Sequence, residues 1–229
     1  MDVDAVIGII TFLAFFLVFM VALPVALSMR RNRLERDRWA VLLTGARQLG
    51  LTVTSNPRAD WAAQLPGRDI RGVSVVVSGV VDGWPVAVAD YSHTISSTVM
   101  VGNTMTPTSE TREYVAYVVW VPPRMRHLSI AVEDRSGMSR LGRRVFGDSA
   151  TATGNEAFDR RFKIWAQPPE SAQRLIGREL VAEHLAGHLP TWNLHNGTLV
   201  TYHPGRLQDP RALVAMTAPL VRVATLLGR

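Results

Sequence analysis

The chain has 229 residues, of which 47% are hydrophobic and 19% charged, a balance typical of a folded protein with room for one sizeable domain. It contains no cysteine, which excludes disulfide bonds, thiolate metal sites and cysteine nucleophiles. The net charge of +6 is modest, only 7% of residues are aromatic and no DNA- or RNA-binding motif occurs, so we expect no nucleic-acid partner.

The first predicted element is a membrane-spanning helix. No charged residue lies between Ala5 and Met29, and a helix of that length measures ~37 Å, against about 30 Å of bilayer hydrocarbon. A cleaved signal peptide is the competing interpretation, but Asp2 and Asp4 stand where its basic start belongs and the apolar run is too long. We therefore predict a retained transmembrane anchor over residues 1–29.

Arginines flank this anchor on one side only. They follow it as Arg30, Arg31, Arg33, Arg36 and Arg38, whereas the residues before it carry no basic side chain. Because positive flanks stay inside, we predict a single-pass protein of the cell membrane with its N-terminus outside and the rest in the cytoplasm. Anionic lipids are the partners that such a flank attracts.

Residues 30–50 predict a basic juxtamembrane helix with one apolar face. Gly50 is a plausible stop signal. The helix either lies on the membrane surface or docks onto the following domain, and docking is favoured because amphipathic helices usually cover cores. Its apolar stripe consists of Trp39, Leu42, Leu43, Ala46 and Leu49.

The first half of the domain, residues 51–229, predicts strands. The segment GVSVVVSGVVDGWPVAVADY predicts two strands joined by a turn at Asp82–Gly83, and residues 115–121 and 128–132 predict two more. The polar stretches 93–111 and 134–157 predict long loops. The second stretch is basic, which indicates either a solvated charge run or a contact with an anionic partner. Its arginines are Arg135, Arg140, Arg143 and Arg144.

The second half adds helices. A short strand over 161–166 precedes a helix that Pro168–Pro169 opens and that runs to about Leu189. A hairpin about Asn196–Gly197 follows, and Asp209 begins a terminal helix. Together these elements predict an α+β domain with a mainly antiparallel sheet and two or three packed helices.

Several blocks resemble a family of actinobacterial single-pass membrane proteins. They are GVVDGWPVAVADYS, FDRRFKIWA, Trp192, Gly197, Gly205-Arg206-Leu207 and Asp209-Pro210. The block FDRRFKI is the most specific of them, although Gln167 stands where an acidic helix cap usually follows. The resemblance covers most of the chain. It implies an N-terminal membrane helix, a basic juxtamembrane segment and one further domain, and it implies no activity or catalytic residue.

Four histidines form the one tempting cluster for chemistry. His184 and His188 are spaced as metal ligands on a helix, but the zincin pattern HExxH is absent. In a hairpin turning at Asn196–Gly197, His195 and His203 point to opposite faces. We therefore expect no metal, cofactor or catalytic site, and solvated side chains at His184 and His188.

Other catalytic signatures fail. No nucleophile elbow, phosphate-binding loop or dinucleotide fingerprint occurs, and Asp90 with His93 would need a serine that spacing does not reveal. The leading hypothesis is a non-enzymatic, membrane-tethered domain that presents a surface to a protein, such as another membrane protein, or to a lipid headgroup. The alternatives are a metal-dependent or small-molecule enzyme built on His184–His203, and a structural subunit of a membrane complex.

Overall fold

A computed structural model of the chain describes residues 37–102, 104–135, 151–210 and 212–227, together with single positions at Met20, Leu23, Arg30 and Arg33. The predicted anchor over 1–29 lies almost entirely outside these residues. Among the residues that are described, no helix combines the length and the apolar character that crossing a membrane requires. The chain divides into two compact units, Met1–Thr44 and Gly45–Arg229.

The basic flank is described in part. Arg30 and Arg33 are helical and exposed, whereas Arg31 and Arg36 lie outside the described residues. Residues 37–48 form a helix, α1, that includes Arg38 and buries Leu42 and Ala46 of the predicted stripe. Gly50 follows it with a φ of 67°, a conformation that favours glycine and ends helices.

An antiparallel sheet dominates the second unit, which confirms the predicted α+β class. In the described part of the chain it has eight strands in the order β1-β2-β3-β4-β8-β7-β5-β6, and every neighbouring pair is antiparallel. The strands are β1 (Thr52–Ser55), β2 (Val73–Val81), β3 (Trp84–Val101), β4 (Thr104–Trp120), β5 (Ser129–Asp134), β6 (Phe162–Gln167), β7 (Trp192–His195) and β8 (Thr198–Pro204).

Both predicted tight hairpins are confirmed. Asp82 and Gly83 join β2 to β3 with φ values of 50° and 80°, and Asn196 and Gly197 join β7 to β8 with φ values of 49° and 79°. Two successive positive φ values match the twist of the flanking strands, which is why Asp-Gly and Asn-Gly are such reliable hairpin signals.

The loop predicted over residues 93–111 is wrong. These residues continue β3 and β4 as paired strands, in unbroken register from His93 opposite Arg112 to Val101 opposite Thr104. We name residues 93–112 the hairpin arm. Most of its side chains are polar, and those that the structure describes from Thr94 to Arg112 are exposed on both faces, so the regular alternation of apolar and polar residues that marks a half-buried strand is missing.

Helices cover one face of the sheet. The longest, α5 (Ala212–Leu226), packs against β2, β3, β4 and β8. The single helix predicted from Pro168 to Leu189 is instead two short ones, α3 (Ser171–Leu175) and α4 (Arg178–Leu185). The break falls at Gly177, whose backbone is extended (ψ 171°) and cannot continue a helix. The helix α2 (Glu156–Arg161) precedes β6.

The opposite face of the central strands carries a second layer. The connection between β1 and β2 contains a short 3-10 helix, Asp60–Gln64, that places Ala62 and Leu65 on the sheet. They pack on small side chains of β3 and β4, among them Ala89 and Ala116. Small residues on the sheet let this thin layer lie close, so β3 is buried on both faces over residues 86–91.

Candidate binding cavity

A cavity of about 770 Å³ lies at one end of this second layer, between residues 57–68 and the sheet. Its volume falls within the range of about 300–1,000 Å³ that is typical of ligand sites. The sheet contributes side chains from β1, β2, β4 and β8, among them Val76, Trp120 and Thr198. Register explains why they meet, since Trp120 lies directly opposite Thr198.

Gln64 forms the buried polar centre of the cavity. Its side chain is 4% exposed, and its Nε2 donates to Thr198 Oγ1 (2.6 Å) and to His195 O (3.2 Å). Thr198 Oγ1 in turn donates to His195 O (2.9 Å), which fixes the orientation of the amide. In the described structure Gln64 Oε1 is left without a hydrogen-bond partner. A buried acceptor without a partner is unfavourable, and this oxygen has almost no accessible surface.

His195 extends the polar centre. Its Nδ1 lies 2.7 Å from Ser129 Oγ on the neighbouring strand. Burial lowers the pKa of the His195 imidazole, so the ring is neutral at pH 7. The inner part of the cavity therefore offers hydroxyl, amide and neutral imidazole groups rather than charge.

Two tryptophans and a charged rim complete the cavity. Trp61 and Trp120 are both half-buried and line it from opposite layers. At the rim, Arg58 Nε lies 3.6 Å from Asp60 Oδ1, and both side chains are largely exposed. Arg68 also lines the cavity. Aromatic walls, neutral acceptors and peripheral arginines suit an uncharged segment that brings an N–H or O–H donor to Gln64.

His184 is not solvated, and that prediction is wrong. It is 1% exposed, its Nε2 accepts the Trp192 Nε1 hydrogen (2.8 Å), and it packs edge-on against Phe158 and Phe162. Burial, followed by the Arg161 charge, lowers its pKa to about 4. The reason is the helix break, because α4 starts at Arg178 and its inward face carries Leu180, Val181 and His184.

The other histidines lie in separate places. His188 is exposed, as predicted, and its Nδ1 lies 2.9 Å from Glu183 Oε2. His203 Nε2 lies 2.8 Å from Tyr117 Oη, on the sheet face opposite the cavity. Within the residues that are described, no group of three metal-ligating side chains is brought together.

The remaining sequence candidates separate in the same way. Asp90 is buried and accepts a hydrogen bond from Leu207 N, whereas His93 lies at the base of the hairpin arm and stacks on Tyr114. Arg135 Nε donates to Asp159 O (2.9 Å) and Phe162 O (3.2 Å). Arg140, Arg143 and Arg144 lie outside the described residues.

Comparison with known proteins adds a distant likeness of fold. Neither a family model nor a curated protein matches the chain. Among solved structures, it is similar to the crystal structure of the mycobacterial trehalose monomycolate transport factor A, TtfA, at 11% sequence identity. The match covers 80% of this chain and 88% of that one, with a TM-score of 0.45. At this level the likeness assigns no activity to the chain.

The sequence gives little sign of the cavity. Its layer comes from residues 57–68, which have neither helical nor strand periodicity, and Gln64 bonds to Thr198, 134 positions away. The available signal is Gln64 itself, an uncharged polar residue among Trp61, Ala62, Ala63 and Leu65. A polar side chain within an apolar run is often one that has a specific partner in the fold.

Proposed function

We propose that this chain is a membrane-tethered interaction domain that holds an uncharged segment of a protein partner in the cavity around Gln64. The anchor and the arginine flank that we predict from sequence supply the tether and the cytoplasmic orientation. The observation that carries the proposal is the buried Gln64 Oε1, fixed by its amide partners and left without a donor in the described structure.

An extended peptide fits the chemistry of the cavity. Binding that opens the lining at Gln64 lets a main-chain N–H of the peptide reach Oε1, and the peptide carbonyl oxygens can accept from the guanidinium of Arg68 at the rim. Its apolar side chains can pack on Trp61 and Trp120, as they do in other aromatic-lined peptide grooves. A charged peptide side chain fits less well, because the inner lining offers no charge to pair with it.

A lipid headgroup is the competing partner. It would use the rim rather than the interior, because a phosphate is bound best by arginines such as Arg58 and Arg68. Arg58, however, already faces Asp60. The cavity therefore favours the protein partner, and the lipid becomes an outcome of the test.

The test uses the full-length chain in membranes. A photoreactive residue at Thr54, which lines the cavity from β1 and is exposed, should crosslink one defined segment of one protein. A synthetic peptide of that segment should bind the wild type and bind a Gln64→Met variant about tenfold or more weakly, since methionine keeps the volume but loses both the Oε1 acceptor and the Nε2 bonds to Thr198 and His195.

Trp120→Ala should weaken binding of the same peptide by a similar factor. Trp84→Ala is the matched control for Trp120→Ala. Trp84 is half-buried like Trp120 but does not line the cavity. Equal loss in both variants would count against the cavity. Binding to anionic vesicles that Arg58→Ala and Arg68→Ala abolish, with no crosslinked peptide, would replace the protein partner by a lipid.

A further inference from the structure

The hairpin arm leaves two strand edges without a neighbour in the described part of the chain. On one side, β2 pairs with β3 only as far as Tyr91. On the other, β8 pairs with β4 only as far as Tyr114. Beyond Ser92 and Glu113, β3 and β4 pair only with each other among the described residues, to the tip at Val101 and Thr104. A free edge presents main-chain donors and acceptors to any strand that can approach it.

The outer edge of β3 presents an uninterrupted series of main-chain donors and acceptors. Ser92 N–H donates to Gly72 O on that side of the strand (2.8 Å). Because main-chain groups alternate in direction along a strand, every second residue after Ser92 turns its N–H and C=O outward. These residues are Thr94, Ser96, Thr98 and Met100.

The outer edge of β4 is interrupted. Gly205 N–H donates to Glu113 O on that side (3.1 Å), so the same alternation turns the main-chain groups of Ser109 and Pro107 outward. Proline has no N–H, and proline on an edge is a common device against unwanted strand pairing. The two edges of one hairpin therefore differ: the outward N–H groups of β3 form an unbroken series from Thr94 to Met100, whereas the series on β4 is broken at Pro107.

The β3 edge is also uncharged. Between Thr94 and Val101 no residue is charged and none is proline, and Thr94, Ile95, Thr98 and Val99 are β-branched. Uncharged β-branched strands pair readily, whereas edges that must stay single usually carry charge. The chain has a net charge of +6, so a docking surface for a second copy is best made where charge is absent.

We propose that two copies of this chain associate through the outer edge of β3, with the two strands antiparallel about a twofold axis at Ser97. Ser97 is the midpoint of the free stretch from His93 to Val101, so this register overlaps the two edges most fully. The sequence is self-complementary there, because Ile95 faces Val99 of the second copy. A twofold contact of one edge with itself closes the assembly and leaves no new β3 edge.

The absence of native cysteine makes the contact directly testable in membranes. Interfaces below about 1,200 Å² are generally weak, so the association is best trapped covalently. In the full-length chain carrying Ser97→Cys, the two thiols should face each other across the axis, and mild oxidation should give a disulfide-linked dimer. Ser109→Cys on β4 is the control, because its copies would lie about 14 Å or more apart, three strand spacings.

A second pair of variants tests the ladder itself. Ser96 and Ser109 are opposite each other in the arm, and each turns its main chain to an outer edge. Adding Ser96→Pro to the Ser97→Cys chain should reduce the dimer about tenfold or more, since it removes an outward donor from the β3 edge. Adding Ser109→Pro should leave the dimer unchanged, because the edge of β4 already contains proline.

Several outcomes would overturn the proposal. The first is that Ser97→Cys gives no dimer although the protein is present in the membrane. The second is that Ser109→Cys gives as much dimer as Ser97→Cys. The third is that the Ser97→Cys dimer persists when Ser96→Pro is added. A mixed disulfide between Ser97→Cys and another protein, in place of the dimer, would show that the edge receives a different chain. Dimerisation does not depend on the cavity, so loss of peptide binding in Gln64→Met leaves this inference standing.

Discussion

The strands β3 and β4 pass through two different environments. Over residues 86–91, β3 is buried on both faces, by α5 on one side and by the 57–68 layer on the other. A few residues later, the same strand is exposed on both faces, with Met100 67% exposed. Burial therefore fixes the register of the hairpin at its base, and pairing between β3 and β4, without packing, carries that register outward.

The two halves are stabilised by different interactions. The buried half rests on packing, whereas the hairpin arm relies on cross-strand pairs such as Ser97 Oγ with Thr108 Oγ1 (2.9 Å) and Thr94 Oγ1 with Thr111 Oγ1 (3.1 Å). Such pairs are each worth roughly 0.2–1 kcal/mol. A hairpin without a hydrophobic face is marginal by itself. The arm therefore depends on the buried half, and the reverse dependence should be weak.

The largest expected effect is at the junction of the two halves. Tyr91 is 1% exposed, and its hydroxyl donates to Pro66 O and accepts from Asp69 N. Tyr91→Ala should lower the free energy of unfolding by about 3–5 kcal/mol, through the cavity and the lost hydrogen bonds. Denaturant unfolding measures it. Met105→Ala in the arm should change the free energy of unfolding by less than about 0.5 kcal/mol. Similar losses in the two variants would contradict the difference between the buried half and the arm.

The folded domain outside the hairpin arm, which we call the body, should also lose stability in acid, because it holds the His184 imidazole in its neutral form. Burial lowers the pKa of His184 to about 4, so the unfolded state, with a pKa of 6.5, takes up the proton first as the pH falls. Stability should be lost from about pH 6.5 down to about pH 4, by about 3 kcal/mol. His184→Gln keeps an acceptor for Trp192, and unfolding curves across this range should be flatter for it. An unchanged pH slope in the variant would contradict the assignment.

A pair of glycines sharpens the comparison further. Gly67 and Gly102 both have positive φ, 81° and 62°, but a side chain at Gly67 would meet the His93 ring at 2.5 Å, and one at Gly102 would meet nothing. Gly67→Ala should lower the free energy of unfolding by about 2 kcal/mol, from backbone strain and overlap together. Gly102→Ala should lower it by about 1 kcal/mol at most. Equal losses would mean that His93 moves away freely.

Only a small loss of stability should follow the largest change in sequence. Joining Ile95 to Glu110 through an Asn-Gly turn removes most of the hairpin arm and keeps these residues opposite each other. The free energy of unfolding should change by less than about 1 kcal/mol, since the removed side chains are mostly exposed. Thermal and denaturant unfolding of the shortened chain measure this. A larger loss would show that the arm stabilises the body.

The sequence predicts correctly those elements that neighbouring residues determine. The hairpins at Asp82–Gly83 and Asn196–Gly197 follow from two adjacent residues each, and the apolar strands follow from their own composition. The arm does not, because its strands are held by pairing that begins in the buried half, and polar residues there look like a loop. Gln64 and His184 depend on partners distant in the chain or on a helix break at Gly177, which periodicity does not locate.

The strand order has a consequence for how the chain is assembled during synthesis. The first four strands are neighbours in both sequence and space, so each can pair as soon as the next has left the ribosome. The pair of strands β5 and β6 must wait, because β5 joins the sheet through β7, and β7 joins it through β8. Until β8 emerges, the inner edge of β4 over residues 114–120 stays open. The hairpin of β7 and β8 thus completes the sheet, and its arrival brings Thr198 into contact with Gln64.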